Sequence, residues 1–113
     1  MRAGVPTARV NLIRRHGIRR GGIRISVRFL PGETDFCYTA VVSKRQGNAV
    51  ERNRIRRSIR GIMQRRGSEY PRGWYVIYYN DSCSAYDLKA VETELDGIAV
   101  SIARDSRPCE RED

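Results

Sequence analysis

The sequence predicts an α+β fold, a small mixed β-sheet packed by helices. Three observations predict it. Ile23, Ile25, Val27 and Phe29 alternate with Arg24, Ser26 and Arg28, the period-two pattern of a half-buried strand. Two apolar runs, Phe36 to Ser43 and Trp74 to Tyr79, are rich in β-branched and aromatic residues. Two longer stretches repeat their apolar residues at helical spacing: Ile55, Ile59, Ile62 and Met63, then Leu88, Val91, Leu95, Ile98 and Ile102. At 113 residues the chain makes one domain with room for a sheet and two or three helices.

In chain order, residues 1–8 are expected to be a flexible N-terminus. Arg9 to His16 predicts a short helix that Gly17 breaks. Residues 18–24, IRRGGIR, read as a basic, glycine-containing loop before the alternating strand. Pro31-Gly32 with Glu33 to Asp35 marks a turn. The strand Phe36 to Ser43 leads into a loop, Lys44 to Asn48, with Asn48 as helix N-cap. The central helix runs to about Arg66 and stops at Gly67. Ser68 to Gly73 is a linker holding Pro71, and Trp74 to Tyr79 is the next strand. Ser84-x-x-Asp87 is the expected capping pair of the last helix. The order is short helix, two or three strands, helix, strand, helix, taken as α-β-β-β-α-β-α. Residues 9–103 form the domain, and 104–113 are expected to be a flexible charged tail.

Charge is distributed unevenly. The net charge is +9, yet residues 1–66 carry 17 Lys and Arg against three acids, and residues 67–113 carry five against ten. Within Ser43–Arg60 (SKRQGNAVERNRIRRSIR) the cations Lys44, Arg45, Arg52, Arg54, Arg56, Arg57 and Arg60 face one acid, Glu51. On a helix Arg52, Arg56 and Arg60 run along one shoulder of the apolar stripe, Asn53 and Arg57 lie further round, and Arg54 is on the far side. A charge run is usually a solvated face. Here acids at helical spacing are too few to build a salt-bridge lattice, and Arg outnumbers Lys 20 to two. The planar guanidinium grips phosphate in a bidentate way, so a polyanion is the expected partner.

The sequence also disfavours whole classes of function. No apolar stretch reaches the length of a membrane span and no secretory h-region opens the chain, so the expected compartment is the cytoplasm. Cys37, Cys83 and Cys109 are widely spaced without a CxxC pair, unlike a disulfide framework or zinc site. The lone histidine, His16, reads as an exposed or RNA-contacting residue rather than a base. GxGxxG and P-loop patterns are absent. No catalytic residue, metal ligand or cofactor of the protein itself is expected.

The run Ser43–Arg60 closely resembles the signature of the bacterial ribonuclease P protein family, S-K-K/R-x-G-N-A-V-x-R-N-R-x-K/R-R-x-x-R. Ser43, Lys44, Arg45, Gly47, Asn48, Ala49, Val50, Arg52, Asn53, Arg54, Arg56, Arg57 and Arg60 all match it. The likeness in length and element order spans roughly residues 10–103. It implies a ribonucleoprotein in which a large catalytic RNA with bound Mg²⁺ removes the 5′ leader from precursor tRNA. The protein would bind that RNA through Lys44, Arg45, Asn48, Arg52, Asn53, Arg54, Arg56, Arg57 and Arg60. It would also hold the single-stranded leader in a cleft between the first helix and the sheet. No obligate protein partner is implied, and Mg²⁺ would enter through the RNA. The family fold has a left-handed β-α-β crossover, against the right-handed default.

Individual roles follow from residue type. Asn48 caps the helix or fixes the loop; Asn53 either donates to RNA or plays a structural part. Gly47 is expected to permit a backbone shape that a larger residue would strain. Ala49 and Val50 are expected to pack rather than contact RNA. The family usually lines its cleft with aromatic side chains. Alignment on His16-Gly17 puts Val10, Arg14 and Arg28 at those positions, with Tyr38 and Phe36 as nearby alternatives. Arg14 and Arg28 would then replace aromatic stacking by guanidinium stacking or phosphate contact. Two other classes remain, a structural ribosomal-RNA-binding protein and a stand-alone nuclease. A helix-turn-helix is weaker, because a strand precedes Asn48 where a helix is needed.

Overall fold

The computed structural model describes residues 2–3, 7–32 and 36–105. Its elements are β1 (Arg2–Ala3), α1 (Thr7–His16), β2 (Ile18–Gly21), β3 (Ile25–Pro31), β4 (Phe36–Val42), α2 (Ala49–Arg66), β5 (Gly73–Tyr79) and α3 (Leu88–Asp105). One mixed sheet orders its strands β1-β4-β5-β3-β2. The strands β4 and β5 are parallel neighbours joined through α2, a β-α-β unit, while β3 joins β5 antiparallel.

The central strand explains its own composition. Tyr75, Ile77 and Tyr79 point to one side of β5 and Trp74, Val76 and Tyr78 to the other, and both sides are covered. The larger side carries α2 and α3. There Ile25, Val27 and Phe29 of β3 share one core with Ile55, Ile59, Ile62 and Met63 of α2, all fully buried. Burying each such side chain is worth about 1.5–3 kcal/mol, so this stripe fixes the rotation of α2. On the smaller side Ile13 of α1 packs against Cys37, Trp74 and Val76. Gly73 enters the central strand at φ 153°, where only glycine sits without strain, and a Cβ there would meet the ring of Phe29 at 2.6 Å.

Several expectations are corrected. Residues 1–8 are not wholly unstructured: Arg2–Ala3 pair in parallel with Cys37 and Tyr38, and α1 begins at Thr7. The last helix likewise continues past 103 to Asp105. The basic stretch 18–24 is not all loop. Ile18–Gly21 form an edge strand against β3, with Arg20 Nε donating to Ser101 Oγ of α3 at 2.8 Å. Ile23 does not join the alternating strand; it sits 85% exposed in the turn. That turn is clamped by Glu94, whose Oε1 accepts the backbone N–H groups of Arg24 (3.0 Å) and Ile25 (3.2 Å). Asp87 caps α3 alone, accepting from the backbone of Lys89 at 3.1 Å and Ala90 at 3.4 Å, whereas Ser84 lies in a separate 3₁₀ turn. Glu33 to Asp35 and most of the charged tail, with Cys109, lie outside the described residues.

Candidate nucleic-acid interface

The loop before α2 is built from two consecutive capping boxes. In the first, Ser43 N–H donates to Gln46 Oε1 at 2.7 Å while Ser43 Oγ accepts from Arg45 N at 3.3 Å. In the second, Asn48 N–H donates to Glu51 Oε1 (3.0 Å) and Glu51 N–H to Asn48 Oδ1 (2.8 Å). Gln46 Nε2 also donates to the Tyr79 carbonyl at 2.7 Å, tying the loop to the sheet. Gln46 and Glu51 were not among the expected site residues, although S-x-x-Q followed by N-x-x-E is legible as two cap patterns.

Gly47 is required for space, not for conformation. Its backbone is extended (φ 176°), which any residue adopts, but a Cβ would stand 2.6 Å from Cys83 Sγ and 2.7 Å from Glu51 Oε1. Cys83 is buried beneath the loop. That burial, and then Glu51, push its thiol pKa up, so it packs as a neutral group.

With the loop and the stripe fixed, the first three turns of α2 hold their cations outward. Lys44, Arg45, Asn53, Arg54, Arg57 and Arg60 are exposed. Arg52 and Arg56 are half-buried and partly occupied: Arg52 Nε donates to the Gly47 carbonyl at 3.2 Å, and Arg56 Nη2 to Asn53 Oδ1 at 2.8 Å. Asn48 thus fills the capping role, and Asn53 orients Arg56. Ala49 and Val50 do not pack as expected; both are exposed, Val50 at 77%. Among the described residues no acid lies within ion-pair distance of Lys44, Arg45, Arg54, Arg57 or Arg60. The last turn is different. Arg66 Nε meets Glu92 Oε2 at 2.9 Å, Arg66 Nη2 meets Asp96 Oδ2 at 3.1 Å, and Arg65 Nη2 meets Glu92 Oε2 at 3.4 Å. The acids missing from α2 are supplied to this end by α3.

A second cationic region lies on the smaller side of the sheet. Val10 is half-buried against Ile13 and Trp74, and the Arg9 guanidinium carbon sits 4.7 Å from the Trp74 ring centroid. Arg14 is exposed; Arg28 is half-buried and donates from Nη1 to the Arg14 carbonyl at 3.3 Å. These two arginines line both a groove of about 610 Å³, shared with Asn11 and Arg15, and one of about 210 Å³, shared with Arg19, Ser26, Tyr78 and Asn80. Tyr38 is not part of this cleft. It is 3% exposed and packs on the opposite side of the sheet, as does Phe36. Arg19, Tyr78 and Asn80 were missed, yet the alternation in Trp74–Tyr79 already places Tyr78 with Trp74 and Val76. His16 is exposed at the end of α1.

Among the described residues no group of three His, Cys, Asp or Glu side chains is placed to hold a metal ion, and no helix is long and apolar enough to cross a membrane. What this surface can do chemically is neutralise and grip a polyanion on two sides.

Comparison with known proteins points the same way. Residues 10–102 match the family described as Ribonuclease P. A 53-residue stretch is 45% identical to the ribonuclease P protein component of Coprothermobacter proteolyticus, covering 47% of this chain and 44% of that protein. The fold is similar to that of the RNase P protein of Staphylococcus aureus (TM-score 0.76, 21% identity, 89% of this chain and 94% of that one). It is similar also to the RNase P protein from Thermotoga maritima (TM-score 0.74, 23% identity, 82% and 90%).

Proposed function

The chain belongs to the ribonuclease P protein family, and from that premise we propose that it is the RNA-binding subunit of a ribonucleoprotein that removes the 5′ leader of precursor tRNA. The observation that carries this reading is the set of exposed cations on the lead-in loop and first turns of α2, which have no acid partner among the described residues. Lys44, Arg45, Arg54, Arg57 and Arg60 neutralise phosphates of the catalytic RNA, helped by Arg52 and Arg56 at the rim. Asn48 and Glu51 hold the loop in the docking geometry, so little ordering is left to be done on binding.

The groove between α1 and the sheet holds the single-stranded leader. We assign bond cleavage to the RNA, whose phosphates would hold the Mg²⁺. The protein acts on the reaction by positioning substrate and screening charge, and it works in the cytoplasm.

The test is cleavage of precursor tRNA at low Mg²⁺ by a bacterial ribonuclease P RNA, with and without the protein. Stimulation that is lost in Arg54→Ala/Arg57→Ala/Arg60→Ala is the expected result. Cleavage by the protein without RNA, or stimulation untouched by the triple substitution, contradicts the reading.

A further inference from the structure

We propose that the smaller groove on the α1 side of the sheet is a single-nucleotide subsite for single-stranded RNA. Tyr78 is its stacking floor, and Arg14, Arg19 and Arg28 are its phosphate grips. The inference rests on the reading that single-stranded RNA enters this cleft, and it names what recognises that RNA.

Strand register builds the site. Arg19 pairs with Arg28 across β2 and β3, Arg28 with Val76 across β3 and β5, and Ser26 with Tyr78 one step along. These side chains therefore share the sheet face that α1 leaves partly open. Together with Arg14 and Asn80 they line a groove of about 210 Å³. Arg14 and Arg28 also line the larger groove beside Asn11 and Arg15, so the two grooves adjoin.

Two parts of the subsite are held in place before any ligand arrives. Arg28 is fixed by its hydrogen bond to the Arg14 carbonyl, and Asn80 Nδ2 donates to Ser26 Oγ at 3.2 Å. Among the described residues no carboxylate pairs with Arg14, Arg19 or Arg28. Three guanidinium groups with no carboxylate partner among the described residues, around one half-buried phenol ring, suit a ligand with both anionic linkages and a flat π-face, which is a nucleotide with its base unstacked. A duplex keeps its bases stacked and offers no face to Tyr78. The aromatic platform therefore sits on the central strand, and α1 contributes cations.

The chemistry separates into two signals. Phosphate gripping is indifferent to base identity and sensitive to salt, whereas stacking requires a base at one position. The experiment measures binding of the assembled protein–RNA enzyme to precursor tRNAs under non-cleaving conditions, scanning a single abasic nucleotide along the leader.

One leader position should lose about tenfold in affinity when its base is removed. That penalty should vanish in Tyr78→Leu and persist in Tyr78→Phe. Arg28→Gln should weaken all leaders alike and lower the log–log salt slope by about 1. Independently of any variant, a photoreactive base at the same leader position should crosslink to the peptide that carries Tyr78. Leader-dependent affinity with no abasic-sensitive position, or a penalty unchanged in Tyr78→Leu, overturns the subsite while leaving leader binding intact. Equal affinity for leader-bearing and leaderless substrates overturns the underlying reading and the subsite with it.

Discussion

The two ends of α2 use the same residue for opposite purposes. In the first three turns Arg54, Arg57 and Arg60 project into solvent with no acid beside them among the described residues. In the last turn Arg65 and Arg66 are drawn onto Glu92 and Asp96 of α3. Nothing in the helix's own sequence separates the groups. The difference is made by α3, which crosses near the C-terminal end of α2 and carries its acids there. A run of arginines therefore divides into an exposed, unpaired cationic surface and a structural clasp, and the division is a tertiary fact.

The clasp is more than an ion pair. Asp96 Oδ1 also accepts from Tyr70 Oη at 2.7 Å, so the turn after α2 is fastened to the same carboxylate that holds Arg66. Burial first, and then the hydrogen bond to Asp96, push the Tyr70 phenol well above its ordinary pKa, so it remains a donor across the usual pH range. At the other end the side-chain bonds of Arg52 and Arg56 stay within the loop and helix, to the Gly47 carbonyl and Asn53, which leaves their charge uncancelled.

The comparison can be broken at either end. The largest effect is expected from Arg54→Ala/Arg57→Ala/Arg60→Ala. Losing three charge-assisted contacts, each worth about 1.5–3 kcal/mol, should lower RNA affinity by at least about a hundredfold with the melting temperature nearly unchanged. Filter binding and a thermal melt check both halves. Next comes Gly47→Ala, which forces Cys83 or Glu51 to move; overpacking of this kind costs about 1–3 kcal/mol. It should reduce stability and RNA affinity together, because the second capping box shares Glu51.

Smaller again is Arg66→Ala. It should lower the melting temperature by leaving Glu92 with only Arg65 and Asp96 with only Tyr70 as partners, while RNA affinity stays within about twofold. The smallest effect is on pH dependence. The Arg66 hydrogen bond holds the Glu92 carboxyl below its ordinary pKa, chiefly against the upward push of desolvation. A lowered folded pKa contributes stability that is fully present above the ordinary glutamate value of about 4.3. That stability is lost as pH falls through the folded value. Arg66→Ala should therefore flatten the stability profile below about pH 4.3, which acid titration followed by circular dichroism would read.

What the sequence made legible was local. The stripe Ile55, Ile59, Ile62 and Met63, the Asn48 cap, the Gly67 stop and the central-strand run Trp74–Tyr79 depend on spacing within a few residues, and each stands where the pattern puts it. What it hid was long-range. Ile18–Gly21 reads as loop because Arg19, Arg20 and Gly21 have no strand pattern; pairing with β3 and the hydrogen bond to Ser101, 81 residues away, make it a strand. Tyr38 was assignable to a side of the sheet only once its register with Tyr75 was known. The partner of Arg66 was likewise hidden, because Glu92 of α3 stands 26 residues further along the chain. The groove between α1 and the sheet was half-legible: Arg14 and Arg28 were found, and Tyr78 was read only as part of a strand.

The measurement that tests the division most directly compares two double variants with the same change in net charge, Arg57→Ala/Arg60→Ala and Arg65→Ala/Arg66→Ala. Affinity for a bacterial ribonuclease P RNA is followed as a function of salt. The first pair should lower the log–log slope by about 2, one for each lost phosphate contact, and the second should leave the slope as in the parent while reducing thermal stability. Equal loss of slope from both pairs would contradict the account, because it would show that RNA responds to the summed charge of α2 and not to the end that α3 leaves free.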